Sequence, residues 1–333
     1  MKCWSDSILS GSTRSLANKA HPARGYLYIA AAAFSWGIAA SLGRAAFTGR
    51  LLPSGQTLRI DPLILSQSRT TISFLVLFVF LLVKRGWKNL KLPVPDFGRI
   101  VLLGVLGVAA SNYFYYLAIQ KTNVATAIIL QYTAPVLVLL YMVARGRQRA
   151  SLKRVVAVML AVVGSALAIG VAGTGGFRLN SVGVIAAMLA AVSFSFYNIA
   201  GHSILAHYDR WIVLLYTTFS AGVFWLIVNP PWKLVAAHYS GMAWGFLFIF
   251  AVVSVLAPFS FYFAGLQHLE PTRAIVVSCL EPVFSIVIAA VALGELMRPL
   301  QILGIVVVLT AIVVVQMPDR TATEEAAVVE PIE

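Results

Sequence analysis

Residues Phe261 to Glu295 read FYFAGLQHLEPTRAIVVSCLEPVFSIVIAAVALGE, and 147 positions upstream Phe114 to Gln148 read FYYLAIQKTNVATAIILQYTAPVLVLLYMVARGRQ. From Phe114/Phe261 to Pro135/Pro282, 22 aligned positions hold six identities: the Phe-Tyr pair, Gln120/Gln267, Ala127/Ala274, Ile128/Ile275 and the proline. Both stretches run from the end of one apolar segment, across a short polar break, into the next. The chain therefore carries one unit twice.

Hydrophobic residues make up 60% of the 333 and charged residues 11%, against roughly 45–50% and about 25% in soluble domains. That composition marks an integral membrane protein. The apolar runs are continuous and lack the period-two alternation of an outer-membrane barrel, so helices are the spanning elements. At about 20 residues per crossing, the chain holds on the order of ten. A net charge of +13 would suggest nucleic acid if it formed one patch. Here the basic residues stand between apolar runs, where they set topology, and no nucleic-acid partner is expected. Cys3 and Cys279 offer neither a disulfide framework nor a CxxC pair, and the five histidines show no HExxH spacing, so no metal and no cofactor is expected.

The spans are placed at about Tyr26 to Phe47, Pro62 to Val83, Phe97 to Ile119, Val124 to Ala144 and Leu152 to Ala172 in the first half. In the second they fall at Asn180 to Gly201, Trp211 to Val228, Met242 to Leu266, Thr272 to Leu293 and Leu300 to Gln316. The division expected is a tail over 1–25, a five-helix unit over 26–172, a second over 179–316 and an acidic, disordered tail over 317–333. The first apolar run is too long for a signal peptide core and is read as retained. Seventeen of the 25 Lys and Arg fall on the side of the N-terminus, concentrated between helices 2 and 3 and between helices 4 and 5, and six on the other. The positive-inside rule then puts both termini in the cytoplasm. Five helices per unit is an odd number, so the second copy enters the bilayer upside down, as in inverted-repeat transporters. The offset of 147 holds from helices 2/7 to 5/10, and helices 1/6 align near 158, Trp36 with Phe194, because the loop Thr48 to Asp61 is an insertion.

With these residues in view, the chain resembles the drug/metabolite transporter superfamily, in its EamA-type branch of ten-helix metabolite exporters. The resemblance rests on Trp36-Gly37, on Arg69, on the helix 3–4 pattern ending at Pro135, and above all on CLEPVFSIVIAAVALGE followed by Gly304. It implies an all-α, ten-span protein of the inner (plasma) membrane that moves a small molecule. The first copy departs from the pattern, ending helix 4 in ARGRQ where the second has Gly294-Glu295.

Intramembrane ionisable residues cost about 2.5–3.5 kcal/mol on insertion scales and are candidates for function by default. Glu281 stands about nine residues into its helix, roughly 14 Å deep, and its first-copy equivalent is Ala134. It reads as a proton or substrate-amine site, or as an acid that only holds helix 9 beside the carbonyl freed by Pro282. Arg69, about seven residues into helix 2 and roughly 11 Å from its end, reads as a partner for a substrate carboxylate or as a structural, snorkelling cation. Candidate substrate-binding residues are Trp36, Asn112, Tyr115, Tyr116, Gln131, Tyr132, Tyr197, Asn198, Tyr262 and Ser278. Inverted-repeat transporters place their site at the repeat interface, and aromatic walls with few polar tips suit a small ligand. The competing reading for each aromatic is an interfacial belt or lipid-facing packing.

The expectation is a secondary transporter, monomer or weak dimer, exporting an amino acid or related metabolite by alternating access, with a proton as the candidate coupling ion. No GxxxxGK[ST] motif is present. The alternatives are an integral membrane enzyme, disfavoured by short loops and isolated acids, and a substrate-binding sensor without net transport.

Overall fold

Several helices begin where a side chain or a proline settles the amides that no preceding turn can satisfy. Asp61 Oδ1 accepts from the amides of Leu63 and Ile64 at 2.8 and 3.2 Å, and Asp209 Oδ1 from those of Trp211 and Ile212 at 3.0 and 3.3 Å. Asn180 and Ser240 do the same for two more helices, while Pro271 and Pro299 open others. The computed structural model describes residues 21–47, 60–92, 94–122, 124–169, 180–294 and 296–317.

Among the described residues there are ten helices long and apolar enough to cross a membrane. They are α1 Pro22–Phe47, α2 Pro62–Arg85, α3 Phe97–Lys121, α4 Val124–Gln131 continued by Ala134–Ala144, and α5 Leu152–Ile169. Then follow α6 Ser181–Leu205, α7 Arg210–Val228, α8 Gly241–Leu266, α9 Pro271–Ser278 continued by Leu280–Leu293, and α10 Pro299–Gln316. No strand occurs among the described residues. Large apolar side chains such as Leu27, Leu152 and Val291 point outward, which suits hydrocarbon and not water. The protein is a multi-pass membrane protein.

The first helix starts at Pro22, four residues before the sequence-based boundary, because a proline is tolerated in a first turn. The tails over 1–20 and 318–333, the 48–59 loop and the end of the fifth span at 170–172 lie outside the described residues.

Helices 4 and 9 are broken where the sequence suggests continuity. Pro135 has no amide to donate to the carbonyl one turn back, and the chain tightens around Tyr132 and Thr133, with the Thr133 amide on Leu130 O at 3.2 Å and the Val136 amide on Thr133 O at 2.9 Å. Pro282 has the same effect at Cys279, whose amide reaches Val276 O at 3.2 Å. Helices 3 and 8 widen into π turns at Leu103–Ala109 and Val252–Leu256. In α8 the widening meets Pro258, whose missing amide would leave Ser254 O unpaired.

Packing is reciprocal between the two halves. α1 crosses to lie against α8 and α9, and α6 lies against α3 and α4; α2 packs on α7 and α8, and α7 on α2 and α3; α5 and α10 pair along their length. Individual contacts recur at the offsets seen in sequence. A Cβ on Gly25 would meet Leu269 and His268, and one on Gly183 would meet Thr122 and Lys121. Ser73 Oγ donates to Ala251 O at 3.0 Å, while its equivalent Ser220 lies against Gly104, the equivalent of Ala251.

The α5–α10 pair depends on bare backbone. A Cβ at Gly304 would stand 2.3 Å from the Ala168 nitrogen and 2.7 Å from Gly164 O, so the helices would have to separate. Gly304→Ala is expected to destabilise by about 1–3 kcal/mol, read as a lowered melting temperature in detergent. Gly245→Ala, with nothing within 4 Å of its Cβ, leaves the transition in place.

Candidate functional site

The proline breaks open the middle of the bundle. Around them lies a cavity of about 200 Å³ whose wall includes Ile128, Gln131, Tyr132, Ala134 and Pro135 from α4 and Ile275, Ser278, Cys279 and Glu281 from α9. α1 supplies Trp36, α2 Arg69, α6 Phe194 and Tyr197, and α8 Ser254 and Phe259. From α3 come Gly107, Val108, Ser111, Asn112, Tyr115 and Tyr116.

The wall is built largely from equivalent pairs. Gly107/Ser254, Asn112/Phe259, Ile128/Ile275, Gln131/Ser278, Tyr132/Cys279, Ala134/Glu281 and, at the helix 1/6 offset, Trp36/Phe194 all line it. Aromatic rings form its apolar part: Trp36 stands edge-on to Phe259 at 5.7 Å, and Phe194 stacks on Tyr197 at 6.1 Å.

Its charges are not paired in this way. Arg69 corresponds to Tyr216, which lies elsewhere with its hydroxyl on Leu90 O at 2.9 Å, and Glu281 corresponds to Ala134. Arg69 Nη2 donates to Asn112 Oδ1 at 2.5 Å, and the Asn112 amide is held by Val108 O at 2.8 Å. The guanidinium also sits 5.9 Å over the Tyr116 ring, and its Nε is buried without a hydrogen-bond partner among the described residues. Glu281 Oε2 accepts from the Tyr132 hydroxyl at 3.1 Å. The cation and the acid thus line one cavity, each engaged by a neutral group. The buried hydroxyls of Tyr197 and Ser254 also have no partner among the described residues.

Ten of the sequence candidates line this cavity: Trp36, Arg69, Asn112, Tyr115, Tyr116, Gln131, Tyr132, Tyr197, Ser278 and Glu281. Gln131 Nε2 reaches Ser111 Oγ at 3.3 Å, and Ser278 Oγ is turned back onto Ile275 O at 2.8 Å. Asn198 and Tyr262 stand behind the wall, both fully buried. The Tyr262 hydroxyl donates to Asn198 Oδ1, whose amide donates to Phe194 O at 2.8 Å. They fix α6 against α8 and support Trp36, whose ring lies 5.4 Å from that of Tyr262. Sequence reasoning missed Ser111, Phe194, Ser254 and Cys279 as wall residues. Applying the internal offsets to Gln131, Tyr132, Asn112 and Trp36 finds Ser278, Cys279, Phe259 and Phe194 directly.

Removing the Tyr262 hydroxyl leaves Asn198 Oδ1 buried without its donor. Tyr262→Phe is expected to destabilise by about 1–3 kcal/mol in thermal unfolding, with no change in which ligands the cavity accepts.

The family model of the EamA-like transporter family matches the chain twice, over residues 23–170 and 181–317. The uncharacterized inner membrane transporter YicL of Salmonella typhimurium is 22% identical over 229 residues, covering 68% of this chain and 75% of that protein. The uncharacterized transporter YcbK of Bacillus subtilis is 24% identical over 212 residues, 60% of this chain and 66% of that one. One solved crystal structure shares the fold at a TM-score of 0.72 and 20% identity, over 89% of this chain and 97% of its own. With ten apolar helices, the proline-broken pair around a central cavity and a family match across both halves, the chain belongs to the EamA-like transporter family of the drug/metabolite transporter superfamily.

Proposed function

We propose that the chain is a secondary transporter whose central cavity takes a small zwitterionic metabolite of the amino-acid type and carries it out across the inner membrane by alternating access. The observation that carries this reading is the pairing of Arg69 with Glu281 in one cavity of about 200 Å³, each held by a neutral side chain and not by the other. A carboxylate fits the guanidinium, which makes strong charge-assisted bonds to such groups. An ammonium fits Glu281 and the Tyr132 hydroxyl, and the rings of Trp36, Phe194 and Phe259 receive an apolar side chain. The volume suits a molecule of amino-acid size and is below the roughly 300 Å³ at which drug-sized pockets begin.

Movement follows from the same architecture. The reciprocal packing of α1 and α6 into opposite halves supports two inverted repeats that rock about the cavity, with the breaks at Pro135 and Pro282 and the π turn before Pro258 as bending points. Both termini then lie in the cytoplasm. Glu281 is the group that a coupled proton would use.

The test is a thermal-shift screen of the purified protein against amino acids, nucleosides, sugars and amines, followed by flux into proteoliposomes. A zwitterion should raise the melting temperature. Arg69→Gln and Glu281→Gln should each weaken that ligand by about 10- to 100-fold, the scale of a charge-assisted hydrogen bond. A neutral sugar or nucleoside that binds where no zwitterion does would overturn the substrate class, and binding without flux would make the protein a sensor.

A further inference from the structure

A second group of ionisable side chains lies far from the cavity, at the Lys/Arg-rich end of the bundle, and nothing in the transport reading uses it. His21, Arg24 and Tyr28 follow one another at three- and four-residue spacing, which puts them on one face at the start of α1. Against that face comes the turn between α8 and α9. The His268 ring lies 6.5 Å from that of His21 and stacks on Tyr28 at 6.1 Å. From α7 comes Arg210, its guanidinium 5.9 Å from the Tyr28 ring and 5.2 Å from that of Trp211. His268 and Arg210 thus meet at the Tyr28 ring, with His21 beside His268 and Arg24 on the same face of α1.

Two acids flank the group in sequence, and both are engaged elsewhere. Asp209 holds Arg85 at 2.8 Å and caps α7. Glu270 accepts from Gln148 Nε2 at 2.8 Å and lies 3.7 Å from Arg154. Neither Arg24 nor Arg210 makes an ion pair among the described residues. The Nδ1 of His268 is buried without a hydrogen-bond partner among the described residues. Its pKa is lowered from the ordinary imidazole value, by burial first and then by His21, Arg24 and Arg210.

We propose that His21, Arg24, Arg210 and His268 form a binding site for a phosphate group, supplied in the membrane as the phosphodiester headgroup of an anionic lipid. The rings of Tyr28 and Trp211 belong to the aromatic belt that marks headgroup depth. Leu27, 71% exposed on the adjoining face of α1, points to where acyl chains would lie. The fork of Arg210, held by its two rings, is set for the bidentate contact that phosphate accepts. A headgroup there ties the ends of α1 and α7 to the α8–α9 turn, joining both halves of the chain. This site does not depend on what the central cavity carries.

The experiment uses the full-length protein in nanodiscs of phosphatidylcholine, with or without phosphatidylglycerol, and reads lipid retained by native mass spectrometry together with the melting temperature. Two arginines at an anionic surface should favour phosphatidylglycerol by roughly 30-fold, which converts to about 2 kcal/mol. The double variant Arg24→Gln, Arg210→Gln should lose that preference, and Lys84→Gln, Lys88→Gln, the same charge change at the same end, should keep it. Equal loss in both variants would show a diffuse surface attraction and overturn the site. A wild-type ratio near one overturns it whatever the variants do, including failure of the arginine variant to fold. A third arm adds inorganic phosphate to the phosphatidylcholine discs. Stabilisation there that the arginine variant loses, without a lipid preference, would keep the phosphate site and overturn its lipid source.

Discussion

A proline in the middle of a membrane helix leaves a carbonyl that no water can reach, and the centre of this protein is arranged around two such places. Pro135 and Pro282 break α4 and α9 at equivalent positions. The side chains beside those breaks supply seven residues of the cavity wall: Gln131, Tyr132, Ala134 and Pro135 from one, Ser278, Cys279 and Glu281 from the other. Were both helices continuous, the same residues would be distributed around two smooth cylinders with less room between them. At several positions elsewhere the bilayer's demand for internal hydrogen bonds is met locally. Ser35, Thr70, Thr218 and Ser260 all return their hydroxyls to the carbonyl four residues back, at 2.5 to 2.9 Å.

Because helices in hydrocarbon gain nothing from excluding water, their association depends on close packing. The contacts at Gly25, Gly183 and Gly304 show the means: at Gly304 a missing Cβ brings two backbones together, and at Gly25 and Gly183 it admits side chains of the facing segment. These approaches recur in both halves, and they hold α1 and α6 across the midline in the half opposite their own. An exchange of this kind gives a two-part bundle a shared centre, with equivalent residues of both halves lining one cavity.

The equivalence stops at the charges. Arg69 stands against Tyr216 and Glu281 against Ala134, so a cavity of nearly paired shape has an unpaired electrostatic character. A symmetric pocket would present the same group twice and offer a zwitterion no preferred orientation. Here the cationic side belongs to α2 and α3, through Arg69 and Asn112, and the acidic side to α4 and α9, through Tyr132 and Glu281.

The sequence by itself determined the membrane class, ten helices and their rough limits, because hydropathy and length are properties of a segment and need no neighbours. It also singled out Glu281 and Arg69 as candidates, since an ionisable group among apolar residues is conspicuous wherever it points. Only the tertiary structure decided which aromatics face the cavity. Tyr115 and Tyr262 are equivalent in sequence, yet one lines the wall and the other is sealed behind it, holding Asn198. The pattern along a helix buried on several sides does not say which side meets a void and which meets another helix. That choice depends on crossing geometry, set by glycines such as Gly107, whose missing Cβ admits Tyr197, and by the turns at Tyr132 and Cys279. The basic cluster of His21, Arg24, Arg210 and His268 was invisible for a related reason: its members are separated by up to 247 positions and meet only because α1 crosses to the far half.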